Sequence, residues 1–323
     1  MAYLHQPGEA AGPSLDSQGS PEGQDQPTQR MLHLHSAWLS SLPHGVRADL
    51  TNATLSDVQW QKVVLSKAIL TNTTWIEADL SGADLSGANL VHADLRGAAL
   101  NRADLSGVEL EKSRLERCWM LGANLSEGRI TEVDFTSSNM GESRWLDTTM
   151  SQSELVSARL EKAVFNQARL LGCNFTEATL NGAQFYKARV QMCRFFGASL
   201  LQANLSSGQF QDCNFGQANL VGARLERSDL TRARFIRANL TQCDLRDVKL
   251  NSADMCGANL TNTRFGGAIL AGVDLRDANL RGARELTSEQ LTAARTDQST
   301  TLPNGAPGPY IKRSGAEKPT GRG

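Results

Sequence analysis

The sequence predicts an all-β solenoid, a backbone wound into a stacked coil with a solid interior, and three observations carry that prediction. Every fifth residue from Leu50 to Leu280 is large and apolar: all 47 positions are Leu, Phe, Trp, Met, Ile or Val. The residue two places before each is small, with 26 Ala, 6 Val, 5 Ser, 5 Cys, 3 Thr and 2 Gly. Finally, residues 48–280 carry 24 Lys/Arg and 26 Asp/Glu, and none of these 50 charges occupies either apolar class. Two positions of each pentad therefore point inward and three outward.

An α-helix cannot satisfy this pattern. At about 100° per residue a five-residue step turns roughly 140°, which scatters the leucines around the helix. The two inward positions are two apart, the strand period. Three outward residues follow, too many for a continuing strand, so the chain bends once per pentad. Glycine is frequent at the bend (Gly82, Gly87, Gly97, Gly107, Gly172, Gly182, Gly222). Asp or Asn precedes the large residue in 20 of 47 pentads, and both side chains bond readily to nearby backbone. Cys173, Cys193 and Cys213 recur at a spacing of twenty, as do Phe175, Phe195, Phe215 and Phe235. That spacing suggests four pentads per coil, about twelve coils, and a rod of roughly 55 Å at ~4.8 Å per rung.

The stretch ADLSGADLSGANLVHADLRGAALNRADLSG, Ala78 to Gly107, resembles the A-(D/N)-L-x-x pattern of the pentapeptide-repeat family. The resemblance implies a right-handed quadrilateral parallel β-helix, the pentapeptide-repeat fold, with short helical caps. Residues 111–200 depart from the idealised pattern, with Arg, Trp or Thr before the apolar residue; those are outward positions.

Around this repeat region, 48–283, the sequence divides further. Residues 1–30 are rich in Gly, Pro, Ser and Gln and read as a disordered leader. Residues 31–47 hold Leu32, Leu34, Trp38, Leu39 and Leu42, an amphipathic N-terminal cap. Residues 284–303 form a C-terminal cap helix, opened by a capping box of Thr287 and Gln290. Residues 304–323 read as a disordered tail. Caps are required because an open coil exposes strand edges and core. Family resemblance adds homodimerisation through the C-terminal cap.

Net charge is −1, which argues against general attraction to nucleic acid or membrane surfaces. The apolar runs are far too short to span a bilayer. The opening MAYLHQPGEAAGPSLDSQGS is not a secretory signal peptide, so a cytoplasmic location is expected, with signal-independent export as the other route.

Chemistry is sparse. Five of six cysteines (Cys118, Cys173, Cys193, Cys213, Cys243) fill the small inward slot, and no CxxC exists. They read as packing groups, and neither metal nor cofactor is expected. His5, His33, His35 and His44 precede the repeats and His92 is isolated, so no acid–base pair forms. No phosphate loop or nucleophile elbow is present. An enzyme is not expected.

What remains is surface. Residues 77–111 carry a net −5 and residues 158–238 a net +6. Arg224, Arg227, Arg232, Arg234 and Arg237 are all outward and form a candidate surface for an acidic protein partner. Trp119 and Phe196 stand at outward positions and are candidate interface anchors. The leading function is a non-catalytic protein–protein interaction scaffold. The resemblance offers two others: a secreted effector or accessory protein of a contractile secretion system, and a DNA-mimic modulator of a type II topoisomerase. The latter needs an acidic face, whereas one outer column reads Asp94, Arg114, Asp134, Glu154, Asn174, Arg194, Asn214, Arg234, Asp254, Asp274.

Overall fold

A computed structural model describes residues 26–319. Parallel backbone pairing links each residue before a large apolar position to the one twenty further on, from Asp49↔Ile69 to Arg264↔Arg284. From Asp49 to Arg284 this is 236 residues, close to twelve coils of a right-handed parallel solenoid. Each coil has four walls. In chain order, wall one centres on Leu50, Leu70 and Leu90, wall two on Leu55, Trp75 and Leu95, wall three on Trp60, Leu80 and Leu100, and wall four on Leu65, Leu85 and Leu105. On wall one the pairing widens into a five-stranded parallel sheet in sequence order: β1 (Glu109–Glu111), β2 (Arg129–Thr131), β3 (Thr149–Ser151), β4 (Arg169–Leu171) and β5 (Arg189–Gln191).

The backbone accounts for the pentad. The large residue donates its N–H to the coil above, as Leu80 does to Ala99 O at 2.7 Å, and so does the residue two later, as Gly82 does to Asn101 O at 2.8 Å. The preceding residue donates to the coil below, as Asp79 does to Val58 O at 2.8 Å. The small residue closes the bend, Ala83 N–H to Leu80 O at 3.0 Å. One donor is left, on the residue after the large one. Asp and Asn take it: Ser81 N–H bonds Asp79 Oδ1 at 2.9 Å and Thr241 N–H bonds Asn239 Oδ1 at 3.2 Å. That is why Asp/Asn precedes the leucine.

The second outward residue turns the corner in the left-handed region at all 47 bends, from Asn52 (φ 63°) to Gly282 (φ 72°). Thirteen of these are glycine; the rest include Lys162 at 57° and Arg237 at 56°. No residue at these positions is β-branched or Pro, the types least able to adopt that conformation.

Inward residues are buried throughout the repeat except Leu50, Val58 and Val63, which are half-buried because no coil lies beneath the first one. Phe175, Phe195, Phe215 and Phe235 stack with centroids 4.8, 4.9 and 5.0 Å apart and planes within 6° of parallel. The rungs impose that spacing. Inward hydroxyls spend their protons on backbone carbonyls, as Ser113 does on Leu90 O at 2.7 Å. Trp145 Nε1 donates to Ser143 Oγ at 2.7 Å. Gly208 is required by its neighbour: a Cβ there would lie 2.5 Å from the Phe210 ring.

Three segment readings differ from expectation, the first being the C-terminal cap helix read over 284–303, which covers only Ser288–Ala293. The cap helix α1 spans Gln26–Leu39, so it begins inside the segment read as leader; residues 1–25 lie outside the described residues. Residues 304–319, read as structureless, are folded against the C-terminal end. Leu302 N–H donates to Ala306 O at 2.8 Å, the Tyr310 hydroxyl bonds Ser288 Oγ at 2.8 Å, and Ala316 is buried. Their Gly/Pro content shapes turns there rather than freeing the chain. Helix α2 (Ser288–Ala293) is capped by Thr287 and Gln290, and Gln290 Nε2 also donates to Phe265 O and Ala268 O at 3.0 and 2.8 Å, covering carbonyls of the last coils.

His35 ties α1 to the first coil. It is fully buried, stacks on Trp38 at 5.7 Å, and its Nδ1 accepts the Ala48 N–H at 3.0 Å. Burial first, and Arg47 secondarily, lower its pKa from 6.5. The unfolded chain thus binds a proton that the folded one refuses, and stability rises with pH across that window. Cap stability should be complete above pH ~6.5 and fall as pH drops below it. Thermal melts at pH 7.5 and 5.0 should show a larger fall in Tm for the wild type than for His35→Gln. Equal falls would remove His35 from the account.

Candidate functional site

Twenty residues per coil decides which outward residues are neighbours, and it disperses the sequence-predicted arginines. Arg224 lies on wall four and Arg227 at the bend from wall four to wall one. Arg232 lies at the bend from wall one to wall two, Arg234 on wall two, and Arg237 at the bend from wall two to wall three. The five do not form one patch. Three are also engaged. Arg224 Nη2 donates to Glu226 Oε1 at 2.6 Å, Arg227 lies 4.0 Å from Asp247, and Arg232 grips Asp212 with both oxygens at 2.7 Å. That last hydrogen bond holds the Asp212 carboxyl below the usual carboxylate range. Arg234 and Arg237 have no carboxylate within 4.0 Å among the described residues.

Trp119 and Phe196 are exposed, by 56% and 38%, but on different walls and nearly four coils apart. Trp119 stands on wall three beside exposed Leu121. It flanks an open groove of about 850 Å³ that includes Arg96, Arg117 and Asn139. In that groove Arg114 bonds Glu116 Oε1 at 2.9 Å, while Glu116 Oε2 is buried without a partner. Phe196 sits on wall two and leans over Gly216, where a Cβ would come within 3.2 Å of its ring. These two aromatics do not share a site.

The walls differ chemically in ways that adjacency in sequence hides. From Thr179 to Asn279, wall three carries no charge on its outward positions; Asn219, Asn239, Asn259 and Asn279 form its column. Wall one is different. In its sheet Arg169 pairs in register with Arg189, and Arg129 lies two rungs below Arg169. None of the three has a carboxylate within 4.0 Å among the described residues. Leu171 (46% exposed) shares the strand of Arg169, and Met192 (64%) follows the strand of Arg189 at the bend. Around that bend on wall two stand Arg194 and Phe196. The signal available beforehand was the absence of Asp or Glu between Glu177 and Asp212, a run in which Lys187, Arg189 and Arg194 all fall.

Five thiols, Cys118, Cys173, Cys193, Cys213 and Cys243, are buried in the core. Burial raises the Cys243 pKa to about 12, and Cys173 and Cys193 are likewise pushed up, Cys173 foremost by its hydrogen bond with Cys193. Among the described residues no group of three His, Cys, Asp or Glu could hold a metal ion. No helix among them is long and apolar enough to cross a membrane.

Comparison with known families places this coil. The model for pentapeptide repeats matches eight copies over residues 78–117, 123–167, 153–191, 209–247 and 248–284, more than half of the chain. The chain belongs to the pentapeptide-repeat family. No curated protein matches it. Among solved pentapeptide-repeat structures it is similar to HetL, a protein involved in heterocyst differentiation regulation in the cyanobacterium Nostoc sp. strain PCC 7120. Identity is 26%, coverage 84% of this chain and 97% of HetL, and TM-score 0.30. A trypsin-treated variant of QnrB1, a plasmid-mediated fluoroquinolone resistance protein, is 17% identical over 65% of this chain and 89% of its own, with TM-score 0.40. A pentapeptide repeat protein of the Arabidopsis thaliana thylakoid lumen is 26% identical over 35% of this chain and 70% of its own, with TM-score 0.18.

Proposed function

We propose that this pentapeptide-repeat chain is a non-catalytic, cytoplasmic interaction rod whose outer walls dock a protein partner with acidic character. The observation that carries the reading is the division between a filled interior and chemically distinct walls. Side chains occupy the inside of every coil, so no deep cleft is available for a substrate. Outside, the stretch of wall three from Thr179 to Asn279 is charge-free and adjoins wall two, which carries the unpaired arginines Arg194 and Arg234. A rigid surface with face-specific chemistry suits recognition of another surface. DNA mimicry fits less well. The column from Asp94 to Asp274 places Arg114, Arg194 and Arg234 among its carboxylates, which breaks the row of negative charge a phosphate backbone presents.

The reading is tested by placing a photo-crosslinking amino acid at Thr149, Asn214, Thr241 and Gln184, one outward position per wall, in growing cells. One protein should recur at one wall or two adjoining ones and be absent from the others. If no wall yields a crosslinked protein above the unirradiated control, the interaction-rod reading fails.

A further inference from the structure

We infer that the seam where wall one turns into wall two is a docking site for an extended acidic peptide segment carrying bulky apolar side chains. The site comprises Arg169, Arg189, Arg194, Leu171, Met192 and Phe196. This inference rests on the reading of the chain as an interaction rod and gives that rod a specific face.

The electrostatic argument starts from the paired strands. Arg169 and Arg189 face each other in register on β4 and β5, about one rung of ~4.8 Å apart. Like charges directly opposite in a sheet are destabilising. Another in-register basic pair, Arg264 and Arg284, is offset by carboxylates: Arg264 lies 2.9 Å from Glu285 and 3.8 Å from Asp244. Arg169 and Arg189 have no such relief, and Arg194, on the coil of Arg189, has none either. An external carboxylate would remove the repulsion and gain charge-assisted hydrogen bonds to planar guanidinium groups.

The apolar groups decide what kind of anion fits. Leu171 and Met192 are 46% and 64% exposed beside these arginines, and Phe196 is held over Gly216 with its ring position already set. A fixed aromatic and a flexible thioether are effective surfaces for burying a partner's side chains. A phosphodiester chain would leave them wet. The cationic column is also short. On wall one it ends in Glu109 and Glu111 below Arg129, and in Asp229 above Gln209. A nucleic-acid strand continuing along the rod would meet these acids. Arg129 to Gln209 is four rungs, roughly 19 Å, the length of about six extended residues. The occupant is therefore a short peptide segment.

A displayed random heptapeptide library, panned on the wild-type protein, tests this. Enriched peptides should carry at least two Asp or Glu and a bulky apolar residue. A fluorescent copy of one should bind with an affinity that falls as salt rises. It should lose about tenfold or more on Arg169→Ser/Arg189→Ser, and again on Leu171→Ser/Met192→Ser. All four positions are outward, so neither variant should melt below the wild type, and the arginine double variant, freed of the in-register repulsion, should melt at or above it; both melts are to be measured. Enriched peptides lacking acids, or unchanged binding to either variant, overturn the proposal. Displacement of the peptide by a single-stranded oligothymidine as readily as by unlabelled peptide overturns it in favour of a general polyanion site. The crosslinking experiment separates this from the wider reading: a partner captured undiminished by the arginine double variant would sink the seam and leave the rod.

Discussion

Leu180→Lys should abolish cooperative folding of the rod, whereas Thr179→Lys, one residue away, should leave it within about 1 kcal/mol of the wild type. Leu180 has 0% exposure and its column neighbours are Leu160 and Leu200. No carboxylate points inward anywhere in the repeat, so an ammonium group there finds no partner. The penalty for an unpaired buried charge is several kcal/mol even after relaxation, comparable with the whole stability of many domains. Thr179 faces out on the charge-free wall, where a lysine reaches water. Circular dichroism and urea titration of both variants decide the matter. Equal behaviour of the two would mean that the inward register is wrong, and every assignment of wall and neighbour would go with it.

The inward register was legible because it is written in residue type at a fixed period: no charged residue stands at any inward position from Ala48 to Leu280. The bend was legible only in part. Glycines such as Gly82 and Gly172 announce it, but Lys162 and Arg237 adopt the same left-handed conformation and announce nothing individually. The available signal was a missing class, since no Val, Ile, Thr or Pro stands at any of the 47 bends. The grouping of surface residues was hidden for a geometric reason. Arg224 and Arg237 are thirteen residues apart, yet the coil carries the chain past two corners between them. Arg169 and Arg189 are twenty apart and adjacent. On a solenoid of this pitch, a cluster in sequence is a ring around the rod, and a patch is a column. Arginine pairing was legible where the acid is two residues away, as for Arg224 and Glu226, and hidden where it is one coil away, as for Arg232 and Asp212. The tail was misread because Gly and Pro are shared by disordered segments and tight turns, and the contact of Tyr310 with Ser288 is what distinguishes them here.

Phe195→Ala should cost about 3–5 kcal/mol, toward the upper end of that range. The ring stacks on Phe175 at 4.8 Å and on Phe215 at 4.9 Å, and meets Phe185 edge-on at 6.3 Å. Large-to-small changes are cheapest where surroundings collapse into the gap. Here collapse is prevented: Phe195 N–H donates to Asn214 O at 2.7 Å and Phe175 N–H to Arg194 O at 2.7 Å, so the rungs on both sides are pinned. The same substitution at Phe235 should cost less, since that ring has one stacked phenylalanine, Phe215, rather than two. A second consequence follows from one-dimensional architecture. Each coil is stabilised chiefly by its two neighbours, so a weak central interface uncouples the halves it joins. Urea unfolding of Phe195→Ala should therefore show a lower apparent slope or two resolved steps, with Phe235→Ala retaining a single transition. If Phe195→Ala lowers the midpoint by no more than Phe235→Ala and keeps the wild-type slope, the aromatic column does not couple the coils, and the polar backbone ladder alone holds the rod together.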